Sequence, residues 1–191
     1  MAETPLVETP WQTVGPFFHY ALPFEGGERL ATGATPGTHI IVEGRLLDAD
    51  GAAVPDGLIE IWQANAAGRY SHPEDSQDKP LDPDFDGFGR TPTDEEGWFR
   101  FYTVKPGAVP GRDNAPQAPH ICISVMGRGI LRRLVTRLYF ADEAANAYDP
   151  VLGLVPEERR ATLIAAPGGD GTTYRLDIRL QGDNETVFFD I

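Results

Sequence analysis

The alternation of apolar and polar residues along the chain predicts a series of short β-strands. Residues two apart on a strand face the same side, so the strict alternation from 174 to 180 predicts a strand with one buried face. Apolar stretches of similar length, separated by Asp-Gly and Pro-Gly turns, predict further strands at 39–47, 58–63, 98–104, 120–126, 134–140 and 185–189. Strands at this spacing with few helices predict a mainly β fold, an antiparallel β-sandwich.

Helices and irregular segments complete the predicted elements. Short helices are expected at 142–148 and at 156–164, where a proline begins the segment and acidic residues follow. Residues 66–92 form a long loop of the kind that covers a functional site. The interior of the sandwich is expected to contain Ile41, Val42, Leu58, Ile61, Trp62, Phe99, Phe101, Ile121, Ile123, Leu138, Phe140, Leu176 and Ile178.

The first 37 residues are expected to form an interface-forming arm and loop, ahead of a sandwich domain at 38–191. Prolines and a glycine exclude a regular element from residues 1–24. Aromatic side chains are nevertheless frequent there, and leaving them in water is costly. The arm therefore either wraps its own domain or docks on another chain.

The composition argues against a nucleic-acid-binding, disulfide-bonded or membrane-spanning protein. The 191 residues include 16 Lys+Arg against 29 Asp+Glu, a formal net charge of -13, so nucleic acid is not an expected partner. Cys122 is the single cysteine, which excludes an internal disulfide and fits a reducing cytoplasm. The start of the chain does not resemble a secretory signal, and no apolar stretch approaches the roughly 20 residues that span a bilayer.

The strand at 120–126 carries the most suggestive chemistry. His120 and Cys122 are two residues apart and face one side, as a pair of metal ligands would. Taken alone, however, His120 fits a core or interface histidine and Cys122 a small buried apolar residue. The chain contains none of the usual zinc, serine-nucleophile or phosphate-loop motifs.

A set of short motifs occurs in a fixed order along the chain: 61–65 (IWQAN), 68–70 (GRY), 81–83 (LDP), 89–90 (GR), 103–107 (TVKPG) and 119–121 (PHI). On these motifs the chain, from Thr9 to Ile191, resembles the intradiol ring-cleaving dioxygenases. The resemblance implies their β-sandwich and, in catalytic chains, a non-haem ferric iron held by two tyrosines and two histidines. The strand that would read His-x-His carries Cys122 at its second ligand position.

The resemblance places the four iron-ligand positions at Gln77, Val109, His120 and Cys122. A neutral amide and a valine do not replace the tyrosinate oxygens that hard ferric iron prefers. The implication is that this chain binds no metal. If the loop is aligned a few residues differently, Tyr70 and Tyr102 become spare tyrosines. The presence of Tyr102 is explained by packing within its strand. Tyr70 alone would leave the site with too few ligands for iron.

The two ends of the chain, at 8–16 and in 136–140 and 185–189, resemble the alpha chain of family members that are built from two chain types. The resemblance implies a beta subunit that holds Fe(III), alpha-beta pairs in a larger oligomer, and O2-dependent opening of protocatechuate to 3-carboxy-cis,cis-muconate. The implied substrate contacts of this chain are Thr13, Gly15, Pro16 and Arg128. Without the resemblance, Arg128 reads as an ordinary surface ion pair.

Two other functions stay open at this stage. A self-sufficient catechol-type intradiol dioxygenase would hold its own iron and be coloured by tyrosinate-to-iron charge transfer. A non-enzymatic β-sandwich binding module would be a stable monomer with its aromatic arm folded back on its own domain.

Overall fold

The computed structural model describes residues 8–190 and contains eleven strands and two one-turn α-helices within them. The helices are α1 (Phe18–Ala21) and α2 (Glu157–Arg160). The strands are β1 (His39–Leu47), β2 (Leu58–Trp62), β3 (Phe88–Pro92), β4 (Trp98–Val104), β5 (Val109–Pro110), β6 (Pro116–Gln117), β7 (His120–Met126), β8 (Leu134–Phe140), β9 (Ile164–Pro167), β10 (Thr173–Arg175) and β11 (Ile178–Arg179). Four 3-10 segments lie at Arg112–Asn114, Ala144–Tyr148, Leu152–Leu154 and Ala161–Leu163.

The main sheet is mixed, with the order β11-β1-β10-β9-β8-β7-β2-β3 and with β4 paired to β1. The predicted mainly β class is therefore confirmed, but β1 runs parallel to β10 and β11, and β8 runs parallel to β9. Parallel neighbours need a long connection, and residues 141–163 supply one between β8 and β9. The larger of two apolar clusters fills the inside of the curled sheet, and a smaller one forms around Tyr139, Leu152 and Leu163.

Most of the predicted interior residues are buried, but Ile41 and Trp62 are only half-buried. Val42 and Leu46 of β1, like Ile61 of β2, take the inner positions and are at most 1 % exposed. Both strands carry apolar side chains on both faces, so composition alone does not identify the inner face. Trp62 instead lies on the outer face, where it becomes part of a cavity wall.

Several predicted element bounds are corrected by the structure. The segment 174–180 is split into β10 and β11, and 185–189 forms no strand, although Phe189 N–H donates to Val135 O at 2.8 Å. Strands β3 and β9 were not predicted, because neither shows a clean alternation of apolar residues. The helix expected at 142–148 is a 3-10 segment, and the one expected at 156–164 is α2 followed by a 3-10 turn.

The arm is only partly irregular. Helix α1 forms directly after Pro16, contrary to the prediction that no regular element exists there, and it buries Phe18. Residues 22–31 lie on the chain's own sheet, where Arg90 donates to Leu22 O at 2.8 Å. Trp11, Phe17 and Tyr20 remain 65 %, 73 % and 76 % exposed. Within residues 8–190, no helix has the length and apolar character required to cross a membrane.

Candidate functional site

A row of three side chains crosses the outer face of the sheet at the expected iron position. Trp62 of β2 pairs with Cys122 of β7, and Cys122 pairs with Arg137 of β8. Residues directly opposite one another on neighbouring strands point to the same face. The row therefore places an indole, a thiol and a guanidinium side by side.

A cavity of about 840 Å³ borders this row at Trp62. Its walls come from Trp62, from the loop after β2 and from the small β5–β6 hairpin. The lining residues are Trp62, Tyr70, His72, Glu74, Asp75, Ser76, Gln77, Val109, Pro110 and Asn114. The loop predicted at 66–92 is corrected at its end, where Phe88–Pro92 form β3, and residues within 70–77 line the cavity.

Two buried amides hold this loop against the body of the protein. Gln63 donates to Val104 O at 2.9 Å and accepts from Thr103 Oγ1 at 2.8 Å. Asn65 donates to Pro80 O at 2.9 Å and accepts from the N–H of Arg69 at 3.0 Å. The polar residues of the IWQAN motif are therefore explained by anchoring of the loop, since buried polar groups require partners.

The four positions of the expected iron site differ in what they offer. Gln77 Nε2 donates to Gly68 O at 3.1 Å and to Asp75 Oδ2 at 3.0 Å, so its amide is committed to the loop. Val109 lines the cavity without any donor atom. His120 is only 3 % exposed, and its Nδ1 lies 2.7 Å from Ala118 O.

Burial dominates the electrostatics of the site. Burial lowers the pKa of His120 to about 4, and the nearby Arg137 guanidinium acts in the same direction, so the imidazole is neutral at pH 7. Burial also raises the pKa of the Cys122 thiol above its ordinary value, although Arg137 opposes this effect. Cys122 is therefore a protonated thiol at neutral pH.

Tyr70 is the site residue that sequence reasoning kept only as a spare. Its ring stacks on Trp62, with centroids 5.9 Å apart and planes at 10°, and it lines the cavity. Burial raises the pKa of its phenol, the charge of a Cys122 thiolate would raise it further, and Arg137 lowers it. Tyr70 follows Trp62 by eight positions in the sequence, and nothing in the intervening residues indicated that the chain turns back to stack the two rings.

These residues do not fit a ferric ion. Val109 provides no donor atom, and Gln77 provides only a neutral amide that is hydrogen-bonded to Gly68 and Asp75. The Arg137 guanidinium adds a positive charge next to two of the expected ligand positions, His120 and Cys122. No cluster of three or more His, Cys, Asp or Glu side chains able to hold a metal exists among residues 8–190.

The four predicted substrate contacts lie elsewhere, on the arm and the turn after β7. Gly129 N–H donates to Thr13 Oγ1 at 2.8 Å, which ties the arm to the turn that carries Arg128. Gly129 has φ +84°, a conformation that suits glycine. Gly15 and Pro16 follow on the exposed side of the arm. The structure thus brings the arm and Arg128 together.

Arg128 has an exposed guanidinium, 62 % accessible, whose Nε pairs with Asp56. Its two terminal nitrogens donate to no residue within 8–190. Next to this turn, the guanidinium carbon of Arg132 lies 4.3 Å from the centre of the Trp11 ring. We refer to the surface formed by Trp11, Thr13, Gly15, Pro16 and Arg128 as the arm surface.

The arm surface and the cavity lie at opposite ends of β7. Cys122 and Met126 are separated by about 13 Å at roughly 3.3 Å per residue, and the turn with Arg128 extends further. A molecule bound in the cavity therefore does not reach Arg128. If Arg128 contacts a substrate, that substrate is held by another chain.

Comparisons with known proteins identify the family of this chain. The dioxygenase family model matches residues 14–182. The chain is 46 % identical to the protocatechuate 3,4-dioxygenase alpha chain of Burkholderia cepacia, over 98 % of this chain and 100 % of that one. It is also 46 % identical to the beta chain of the same organism, over 78 % of this chain and 67 % of that one.

Solved structures show the same fold. The dioxygenase domain of a dioxygenase carbohydrate-binding protein fusion from Streptomyces sp. SirexAA-E superimposes with a TM-score of 0.63 at 27 % identity, covering 91 % of this chain and 98 % of that domain. The family match, the identity to relatives over nearly the whole length and the shared fold establish that this chain belongs to the intradiol dioxygenase family.

Proposed function

We propose that this chain is the metal-free alpha subunit of a protocatechuate 3,4-dioxygenase and completes the substrate pocket of a beta subunit that holds Fe(III). Identity alone does not separate the two chain types, because both relatives match at 46 %. The loss of tyrosinate donors at Gln77 and Val109 is the observation that favours the alpha role. The single cysteine, which excludes an internal disulfide, and the resemblance together favour a cytoplasmic location.

The proposed division of labour follows from the chemistry of the two surfaces. The ferric ion of the partner supplies the activation of the catechol and O2. This chain contributes the arm surface, where the Thr13 hydroxyl and the backbone at Gly15 and Pro16 shape one wall. Arg128 presents its terminal nitrogens, which donate to no residue within 8–190, to the carboxylate of the substrate, a charge-assisted contact that orients the ring.

The arm and loop at 1–37 act as the interface-forming part in this proposal, and 38–191 as the supporting sandwich. Residues 1–7 and Ile191 lie outside the described part of the chain. The exposed aromatic side chains of the arm provide the apolar area that a second chain would cover.

The test is to coexpress this chain with its beta partner and replace Arg128 by alanine. Turnover of protocatechuate is expected to fall by at least about tenfold, because a charge-assisted hydrogen bond is lost. Iron content per pair is expected to stay unchanged, since no ligand of the metal is altered.

Arg175→Ala is the matched control, because Arg175 is a half-exposed arginine paired with Asp177 and lies in β10 rather than in the turn after β7. It is expected to leave turnover unchanged. Equal loss of iron and activity in Arg128→Ala would contradict the pocket role. Metal bound to this chain purified by itself, with the burgundy colour of a ferric tyrosinate, would favour a self-sufficient enzyme.

A further inference from the structure

Two strands of the main sheet each have one edge that no other strand covers. Within residues 8–190, β3 pairs only with β2, and β4 pairs only with β1. Such an edge presents N–H and C=O groups that need partners. The segment 22–31, which follows α1, supplies partners to both edges, and we refer to it as the strap.

Backbone hydrogen bonds join the strap to both edges. Tyr102 N–H of β4 donates to Glu28 O at 2.8 Å, and Leu30 N–H donates back to Tyr102 O at 2.9 Å. On the other edge, Arg90 N–H of β3 donates to Gly27 O at 2.8 Å. The strap therefore connects two strands that do not pair with each other in the described part of the chain.

Glycines allow the strap to lie this close to β3. A Cβ at Gly27 would overlap the carbonyl oxygen of Arg90, and a Cβ at Gly89 would lie 2.5 Å from the Leu30 side chain. One added methyl group at Gly27 would therefore push the strap away from β3 without altering any charged group.

The side chain of Arg90 forms a latch at the end of the strap next to α1. Its Nε donates to Glu60 Oε1 at 2.8 Å, and its Nη1 donates to Leu22 O at 2.8 Å. Its guanidinium carbon lies 5.9 Å from the centre of the Phe24 ring and 5.3 Å from that of Phe88. A planar guanidinium suits this position because it donates in two directions while packing against aromatic rings.

Arg100 shows that the latch is more than a cross-strand ion pair. Arg90 lies directly opposite Glu60, and Arg100 lies directly opposite Glu43 in the same way. In both pairs, Nε and Nη2 donate to one carboxylate oxygen. Of the two arginines, Arg90 is the one that also donates to Leu22 O. The contact with the strap is thus an additional feature of Arg90.

The latch is one of two contacts that hold the arm to the body of the chain. The other is the hydrogen bond from Gly129 N–H to Thr13 Oγ1 at 2.8 Å. Helix α1 ends immediately before Leu22, so the segment between the two contacts carries the exposed rings of Phe17 and Tyr20. Both ends of the segment that carries these rings are therefore fixed.

We propose that Arg90 is a positioning residue for the subunit interface: by latching the strap to β3, it holds α1 and the exposed rings of the arm where the beta subunit docks. This inference rests on the proposed function, which identifies the partner. A segment that is already ordered lowers the entropic cost of association. Loss of the latch therefore weakens association and leaves the iron content of the assembled pairs unchanged.

The test compares Arg90→Gln with Arg100→Gln, the matched control, in this chain copurified with its beta partner. Hydrogen exchange, measured by mass spectrometry where all variants remain assembled, is expected to be at least about tenfold faster across 22–31 in Arg90→Gln and unchanged in β7 and β8. On dilution, followed by sedimentation velocity, the Arg90→Gln complex is expected to dissociate at a concentration at least about tenfold above that of the wild type. Arg100→Gln is expected to match the wild type in both measurements.

Gly27→Ala is the second variant, because it displaces the strap without leaving Glu60 unpaired. It is expected to reproduce both effects of Arg90→Gln. Gly33→Ala is its control, since a Cβ at Gly33 meets nothing within 4 Å. If Arg90→Gln does not fold, equal exchange across the strap or equal dissociation in the two glycine variants overturns the proposal.

The remaining outcomes separate this inference from the proposed function. Exchange across 22–31 that is equal in Arg90→Gln and Arg100→Gln overturns the role of the latch. Release of the strap with dissociation at the wild-type concentration overturns it as well. The proposed function fails on different measurements, namely iron bound to this chain itself or loss of iron in Arg128→Ala, and neither depends on the strap.

Discussion

His120 occupies the one expected iron-ligand position whose residue type is retained, and its surroundings explain how an imidazole persists there without a metal. The ring is buried against Tyr139, with centroids 5.8 Å apart, and its Nδ1 is hydrogen-bonded to Ala118 O. Burial holds its pKa at about 4, so the neutral form is the only one that the folded chain accommodates at pH 7. His120 therefore serves packing in this chain.

This electrostatic arrangement makes the stability depend on pH. In the unfolded chain His120 titrates near its ordinary pKa of about 6.5. Between about pH 6.5 and 4 the unfolded chain binds a proton that the folded chain does not, so the unfolding free energy decreases as the pH falls. Going from pH 7 to pH 5, the decrease attributable to this residue is about 2 kcal/mol.

The measurement is urea denaturation at pH 7 and pH 5 for the wild type and for His120→Gln, at equal protein concentration. The loss of stability at pH 5 is expected to be smaller in His120→Gln by about 2 kcal/mol, because the other titrating groups cancel in the comparison. Identical pH dependence in the two proteins would show that His120 is not the group responsible.

Of the four positions that the resemblance assigned to iron ligands, Gln77 and Val109 line the cavity, whereas His120 and Cys122 lie on β7. The sequence did not place Tyr70 in the cavity wall or Arg137 beside Cys122. A lone arginine on a strand gives no sign of its neighbours, so the sequence does not reveal where the Arg137 side chain lies. Its position opposite Cys122 follows from the pairing register of β7 and β8, which is set by the packing of the whole sheet.

At the scale of elements, the central strands were predictable and the late ones were not. The bounds of β1, β4, β7 and β8 agree with the predicted ranges, because each has a long apolar stretch between turn residues. The predicted strand 174–180 is interrupted because Asp177 Oδ1 accepts the N–H of Arg45 at 3.0 Å. The Asp177 carboxylate thus takes the place of a backbone carbonyl as the acceptor for Arg45 N–H. The alternation of apolar and polar residues does not reveal such a replacement.

Gly44 allows β1 to have β4 on one edge and the segment between β10 and β11 on the other. A Cβ at Gly44 would overlap the carbonyl of Leu176 and approach the Phe99 ring to 2.8 Å. The glycine allows β4 and the segment between β10 and β11 to approach β1 closely. This packing holds the last third of the chain to the first predicted strand.

Gly44→Ala is accordingly expected to lower the unfolding free energy by about 2 kcal/mol or more, the range for overpacking a rigid core. Urea denaturation measures the change. Gly33→Ala is the matched control, because a Cβ at exposed Gly33 meets nothing within 4 Å. Equal stabilities of the two variants would indicate that the strands shift apart without cost.

At the scale of the whole molecule, a strongly acidic body carries an apolar arm. The formal net charge of -13 makes separate copies repel one another. The arm counters this with Trp11, Phe17 and Tyr20, each more than 60 % exposed although residues 22–31 pack on the chain's own sheet. A binding module with a fully folded-back arm is thus disfavoured, and an arm that docks on another chain is favoured.

The exposed rings lead to a prediction about assembly. Burying each ring against a partner contributes about 2 kcal/mol, so the double variant Phe17→Ser/Tyr20→Ser is expected to weaken association with the beta subunit by at least tenfold. Its unfolding free energy is expected to change little, because both rings are already in water. Expressed without the partner, the wild-type chain is expected to be colourless and self-associated, and the double variant less so.

Sedimentation velocity and recovery of the coexpressed beta subunit measure both effects. Tyr148→Ser is the matched control, since Tyr148 is 86 % exposed but lies in a 3-10 segment away from the arm. If the wild-type chain alone is a monodisperse monomer, or if the double variant retains its partner as well as Tyr148→Ser does, the rings of the arm do not form the interface. Phe17 and Tyr20 on one side, and Tyr148 on the other, are all exposed aromatic residues. General hydrophobic association would weaken when either site is changed, whereas docking by the arm would weaken only in the double variant.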